Sequence, residues 1–208
     1  MKKYISVAAL ALAIAPFAAA STFLIDRDNS SGAVCSMANP CGTVTVTGTS
    51  TLTVSISMNA GFGVFGNNDS FGFSTVGSDT GVLISNFSSA LFNGNGGSGN
   101  EGGWGSFELR VDGPGGSSAV QNLSFDMSRP SDPFTSPADI QAGASGGNGS
   151  TIFGLHVRNN TSGLAGFAGV DATPATVTPE PGSLGLIGLA GVGLGLFRKR
   201  RTRRTKQF

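Results

Sequence analysis

Alternation of apolar and hydroxyl-bearing residues across the middle of this 208-residue chain constrains its fold more than any other feature. Residues 52–58 read Leu-Thr-Val-Ser-Ile-Ser-Met, which places four apolar side chains on one face of a strand and three hydroxyls on the other. Shorter alternations follow at residues 71–73, 107–111, 123–127 and 153–157. With Gly, Ser and Asn clusters between the runs, this period of two predicts antiparallel strands joined by loops.

The predicted fold class is therefore all-β, as a single antiparallel β-sandwich over residues 21–160, with a jelly roll or an irregular barrel as alternatives. The continuous apolar run at residues 82–84 is compatible with a strand buried on both faces. The Gly- and Asn-rich stretches 93–103 and 141–150 are expected to be mobile loops. Residues 161–178 are small, nearly uncharged and rich in Gly, Ala and Thr, which predicts a linker.

The first twenty residues have the three parts of a secretory signal peptide. Lys2 and Lys3 form the positively charged N-terminal region, and residues 5–15 form the apolar segment. Residues 18–20 are the small residues of a cleavage site. We expect the exported chain to begin at Ser21.

Export places the body of the protein in an oxidising space, where two nearby cysteines pair. Cys35 and Cys41 are the only cysteines, so we predict a disulfide that closes a small loop. A zinc site is disfavoured because the single histidine, His156, cannot complete a four-ligand set with them. No cofactor is predicted.

The C-terminal end combines a proline-bracketed turn, an apolar run and a basic tail. Pro179-Glu180-Pro181 precedes sixteen uncharged residues, 182–197, which as a helix would rise about 24 Å against a hydrocarbon core of about 30 Å. We expect a short transmembrane helix. The positive charges beyond it predict that the chain end stays in the cytoplasm; they are Arg198, Lys199, Arg200, Arg201, Arg203, Arg204 and Lys206.

This tail resembles the PEP-CTERM sorting signal of Gram-negative bacteria that make exopolysaccharide. The resemblance implies that an exosortase, a membrane-embedded cysteine transpeptidase, recognises Pro179, Glu180 and Pro181 and removes the segment behind them. It also implies that the tail is only transiently in the inner membrane. A permanent C-terminal anchor is the alternative. The run 153–157 is similar to the last strand of many small proteins of this family.

Charge excludes one broad class of function. Between residues 21 and 178 there are four arginines, no lysine and eleven acidic residues, so the exported body has a formal charge of −7. A nucleic-acid-binding protein needs a positive surface to neutralise phosphates. We predict no nucleic-acid partner.

Trp104 is the one residue that suggests a ligand. A lone Trp in a Gly-rich loop has little to pack against, so it is a candidate platform for stacking on a sugar. Glu101, Glu108 and Asp112 surround it in sequence, and a carboxylate pair can serve glycoside hydrolysis. A solvated strand face with Arg110 explains these carboxylates more simply.

Four further patterns are candidates for catalytic or metal sites. His156 could act as a general base, but a structural role in a half-buried strand is the simpler interpretation. The Gly-x-Ser-x-Gly match at residues 143–147 lacks the strand and helix that a nucleophile elbow requires. Two weak calcium-loop matches, 26–30 and 96–101, lack the acid and the tandem repeats that such sites need.

The sequence thus predicts a non-enzymatic structural or interaction protein of the cell surface or the extracellular polysaccharide matrix. Its predicted partners are an exosortase, transiently the inner membrane, and an extracellular polysaccharide. The alternative function is a carbohydrate-binding module that uses Trp104 and nearby carboxylates.

Overall fold

The body of the chain is all-β in a computed structural model that describes residues 20–29, 35–115, 118–147 and 150–173. The strands are β1 Ala20–Ile25, β2 Arg27–Asp28, β3 Gly42–Gly48, β4 Thr51–Met58, β5 Phe62–Val64, β6 Phe71–Phe73, β7 Leu83–Ser85, β8 Gly99–Asn100, β9 Ser106–Phe107, β10 Leu109–Val111, β11 Asn122–Ser128, β12 Thr151–Asn159 and β13 Ala165–Asp171. One 3₁₀ turn, Pro137–Ile140, is the single helical element within these ranges.

Two sheets contain eleven of these strands, and every pair is antiparallel. Sheet 1 has the strand order β1-β3-β4-β11-β7, and sheet 2 has the order β10-β6-β12-β13-β2 with β5 also paired to β12. Strands β8 and β9 form a separate two-stranded hairpin. The prediction of an all-β body with antiparallel strands is confirmed.

The alternating residues of both sheets bury one common core. On β4 the buried positions are Leu52, Val54, Ile56 and Met58, as the alternation predicts. Aromatic rings join the two sheets: the Phe71 ring of sheet 2 lies 5.8 Å from the Phe125 ring of sheet 1. Edge-to-face aromatic contacts of this kind add about 0.5–1.5 kcal/mol to the apolar area they bury.

Two predictions about individual segments are wrong. Leu83 is 56 % exposed, because β7 is an edge strand that pairs only with β11 and not a strand buried on both faces. The predicted linker 161–178 contains a strand, since residues 165–171 form β13 and pair with β12 from Thr151 to Arg158. Backbone pairing does not require large side chains, so a stretch rich in Gly and Ala can still form a strand.

The predicted disulfide is present between Cys35 and Cys41, with the two Cα atoms 5.2 Å apart. Cys41 is fully buried, and its backbone N–H donates to the carbonyl of Ile25 at the end of β1. The bridge therefore fastens the short loop before β3 to the common core.

The predicted signal peptide and transmembrane helix fall almost wholly outside the described residues. Ala20, the last residue of the predicted signal peptide, is the first residue of β1 and lies opposite Thr47 of β3. Within the ranges that the structure describes, no helix has the length and apolarity needed to cross a membrane. Residues 182–197 lie beyond those ranges.

Candidate functional site

Three glycines form a row across the outer face of sheet 2. Gly154 of β12 lies opposite Gly72 of β6 on one side and opposite Gly169 of β13 on the other. A side chain at any of the three would meet atoms of the covering segment, residues 99–107, within 3 Å. The glycine row therefore allows this segment to lie directly on the strand backbones.

Trp104 belongs to this covering segment and is buried. Its side chain is 4 % exposed and packs on Gly169, where an added Cβ would lie 2.9 Å from the indole ring. The indole N–H donates a 3.0 Å hydrogen bond to the carbonyl of Phe167. The expectation that Trp104 has little to pack against is wrong, and the residue presents no ring face on which a sugar could stack.

Glu101 is the second buried residue of the covering segment, although its sequence context predicted a mobile loop. It is fully buried over Gly72 and Gly154, and among the described residues neither carboxyl oxygen has a hydrogen-bond partner. Burial, and to a smaller degree the negative charge of Asp69, raise the pKa of Glu101 from 4.5 to about 9. The opposing effect of Arg110, whose Nε lies 4.0 Å from Oε1, is smaller. The carboxyl is therefore neutral at pH 7.

Arg110 makes its hydrogen bonds to the glycine-rich loop 93–103 and not to Glu101. Its guanidinium donates to the carbonyls of Gly96 at 2.9 Å and Ser98 at 3.2 Å. Gly99 lies so close that an added Cβ would be 2.6 Å from the guanidinium carbon. These contacts explain why residues 93–103, which were expected to form a mobile loop, lead into a buried segment.

The other two candidate carboxylates have separate partners. Glu108 lies between β9 and β10, where its Oε2 accepts hydrogen bonds from the backbone and hydroxyl of Thr75 at 3.0 and 3.2 Å. Asp112 accepts from the backbone N–H of Asn68 at 2.7 Å and from the side chain of Asn93 at 3.1 Å. Each carboxylate thus fastens a loop, and this arrangement gives no indication of a glycosidase pair.

His156 has the structural role that its half-buried strand position predicted. The imidazole lies between two aromatic rings, at 4.1 Å from Phe65 and 4.3 Å from Phe167, with the latter nearly parallel. Its Nδ1 is 3.3 Å from Oδ1 of Asp69, and the side chain is 21 % exposed. The ring packs the outer face of sheet 2 beside the glycine row.

A cleft of about 330 Å³, lined by both polar and apolar groups, opens beside the covering segment. We call it the serine cleft because Ser74, Ser98, Ser106 and Ser145 line it together with Glu108. The Gly-x-Ser-x-Gly match contributes Ser145, whose hydroxyl donates to the carbonyl of Ser106 at 3.3 Å. No α-helix follows this serine in the described chain, so the match is not a nucleophile elbow.

Neither the glycine row nor the cleft was predicted from the sequence. A signal for the row was present: residues 71–73 and 153–155 both place a glycine at the outward position between large apolar residues. A glycine inside a strand often marks a close approach of another segment. The strands that align Gly72 with Gly154 are far apart in sequence, so only the fold reveals the row.

The structure contains no obvious metal centre within the described residues. In those ranges no three His, Cys, Asp or Glu side chains come close enough to hold an ion. In the first calcium-loop match, Asp26 lies between β1 and β2 and Asp28 ends β2, and Glu101 of the second match is buried over the glycine row.

The sorting residues Pro179, Glu180 and Pro181 and the basic tail lie outside the described residues, so comparison with known families provides the test. No curated protein and no solved structure matches this chain significantly. Residues 177–201 match the family model of the PEP-CTERM protein-sorting motif. The chain therefore carries a PEP-CTERM protein-sorting motif, which marks an exported protein that is sorted by an exosortase.

Proposed function

We propose that this protein is a structural or interaction protein of the cell surface or extracellular polysaccharide matrix, without catalytic activity. The observation that carries the proposal is the match of residues 177–201 to the sorting motif. In this proposal the signal peptide 1–20 starts export. The exosortase then recognises Pro179, Glu180 and Pro181 while residues 182–197 are in the inner membrane, and the folded body is delivered to the cell exterior.

The outer face of sheet 1 supports an interaction role. Thr22, Thr45, Ser55 and Ser124 lie opposite one another across four strands, and all four are exposed or partly exposed. The Thr22 and Thr45 hydroxyls lie 3.0 Å apart and share a hydrogen bond. Such a face offers many hydroxyl donors and acceptors but few groups suited to acid–base chemistry.

The contacts of the other candidate catalytic side chains also support a non-enzymatic role. His156 is packed between Phe65 and Phe167, and the carboxylates of Glu108 and Asp112 serve loop contacts. Trp104 gives no support to carbohydrate binding, because its indole is covered.

Mass spectrometry of the protein recovered from the cell surface and the medium tests the sorting proposal. We expect a chain that begins at Ser21 and ends close to Pro179–Pro181. A double substitution, Pro179→Ala with Pro181→Ala, should leave the segment up to Phe208 attached, whereas Pro174→Ala is the matched control and should be processed normally. A wild-type chain that keeps its tail would make the segment a permanent anchor and refute the proposal.

A further inference from the structure

We propose that the serine cleft binds a sugar unit of an uncharged polysaccharide; this inference rests on the proposed matrix function and gives it a partner class. The volume of about 330 Å³ lies at the lower end of the roughly 300–1,000 Å³ range of small-molecule sites. A space of this size suits one sugar ring with its hydroxyls. The polar groups that line the cleft, its rigidity and its charge support this assignment.

The lining can both donate hydrogen bonds to a sugar and accept them. The Ser74 side chain is nearly buried, and its Oγ accepts from the backbone N–H of Glu108 at 3.2 Å, so its own proton remains available to a ligand. Thr75 engages Oε2 of Glu108, and no described residue donates to Oε1. The hydroxyls of a bound sugar can therefore replace their hydrogen bonds to water with hydrogen bonds to Ser74 and Glu108.

The walls of the cleft are held in place by backbone pairing. Ser106 and Ser145 exchange two N–H to carbonyl hydrogen bonds of 2.9 Å each. The hairpin of β8 and β9 pairs Gly99 with Phe107, and an isolated bridge joins Ser74 to Ala142. Because these pairings already order the lining, binding loses little conformational entropy.

The charge of the cleft indicates which polysaccharides it can accept. Among the described residues that line it, Glu108 is the one charged side chain. Arg110 does not line the cleft; its guanidinium donates to the carbonyls of Gly96 and Ser98. A uronic-acid polymer would bring a second negative charge close to Glu108, and no residue of the lining is a cation that could pair with it, so the cleft should prefer neutral chains.

Affinity electrophoresis of the exported protein tests this proposal, with gels that contain a neutral glucan, mannan or galactan, or alginate as the acidic polymer. We expect at least one neutral polymer to retard the wild-type protein and alginate to have no effect. Ser145→Tyr places a large ring at the exposed rim of the cleft and should abolish retardation. Thr80→Tyr, at an exposed position in the turn before β7 and outside the cleft lining, is the matched control and should leave retardation unchanged.

Two smaller substitutions show whether a loss of binding comes from a blocked cleft or from misfolding. Ser74→Ala removes one hydroxyl and should raise the dissociation constant about fivefold. Glu108→Gln removes the negative charge and should raise it about tenfold for the neutral polymer, while it lessens the discrimination against alginate. Thermal unfolding of each variant shows whether the fold is intact.

Three outcomes would overturn the cleft proposal: no retardation by any neutral polymer, equal retardation of Ser145→Tyr and Thr80→Tyr, or stronger retardation by alginate. Mass measurement of the same samples shows independently whether the tail has been removed. A correctly processed chain that no neutral polymer retards rejects the cleft and leaves the sorting proposal standing.

Discussion

Replacement of Glu101 by glutamine tests whether the covering segment buries a neutral carboxyl. The substitution keeps the shape of the side chain and removes its ability to ionise. In the wild-type protein the pKa of Glu101 is raised from 4.5 to about 9, mainly by burial. Between these two values the folded chain holds a proton that the unfolded chain releases, so wild-type stability should fall as the pH rises through this window and be fully present below pH 4.5.

The size of the effect follows from the same two pKa values. Each pH unit inside the window costs about 1.4 kcal/mol, so at pH 7.5 the penalty is about 4 kcal/mol relative to a side chain that stays neutral. This is a large share of a typical unfolding free energy of about 5–15 kcal/mol. Glu101→Gln should therefore lose the pH dependence of this site, and its stability advantage over the wild type should grow from near zero at pH 4.5 to about 4 kcal/mol at pH 7.5. At pH 4.5 glutamine has no advantage, because both chains then carry a neutral group.

Urea unfolding measures the free energy of unfolding of the wild type and of Glu101→Gln, and it should be repeated at half-unit steps from pH 4.5 to 8.5. Glu108→Gln is the matched control, because it removes an exposed carboxylate from the same region and should keep the wild-type slope. If the curves of wild type and Glu101→Gln run parallel across this range, Glu101 is ionised in the folded protein and the reasoning is wrong. A wild type that gains stability as the pH rises would contradict it equally.

Other substitutions test the glycine row, the covering segment and the disulfide. Gly154→Ala would place a methyl group 2.7 Å from a buried side-chain carbon of the covering segment, so it should destabilise the fold by about 1–3 kcal/mol in urea unfolding. Gly115→Ala is the control and should have little effect, because the nearest atom to its added methyl group would be 4.0 Å away. Trp104→Ala should cost about 3–5 kcal/mol in the same assay without weakening polysaccharide retention, and loss of retention in a folded variant would contradict our placement of the ligand. Replacement of Cys35 and Cys41 by serine opens a loop with a sequence separation of 6 and should cost about 2 kcal/mol; an unchanged denaturation midpoint would show that the bridge is dispensable.

Much of the fold was predictable because it depends on local patterns. The alternation at residues 52–58 and 123–127 identified β4 and β11, and the side chains predicted to share a face do share the buried face. The prediction for Cys35 and Cys41 needed only their proximity in the chain and an oxidising destination. The sorting motif was predictable for a different reason. It is a short linear sequence that a processing enzyme recognises, so no tertiary contact is needed to define it.

The failures share a physical cause, which is that long-range pairing leaves little trace in local composition. Residues 165–171 lack the bulky alternating residues of a typical strand, yet they pair with β12 because the neighbouring strand supplies the hydrogen bonds. The apolar run at 82–84 has the composition of a central strand, but its place at the sheet edge leaves Leu83 exposed.

The sequence by itself therefore determined the β class of the body, the disulfide and the sorting tail, all of which depend on neighbouring residues. Only the tertiary structure decided the environment of Trp104 and Glu101. Their burial requires Gly72, Gly154 and Gly169 to align on three strands and leave the sheet backbone open to the covering segment. The serine cleft is likewise assembled from segments around Ser74, Ser106 and Ser145, which backbone hydrogen bonds bring together across long stretches of chain.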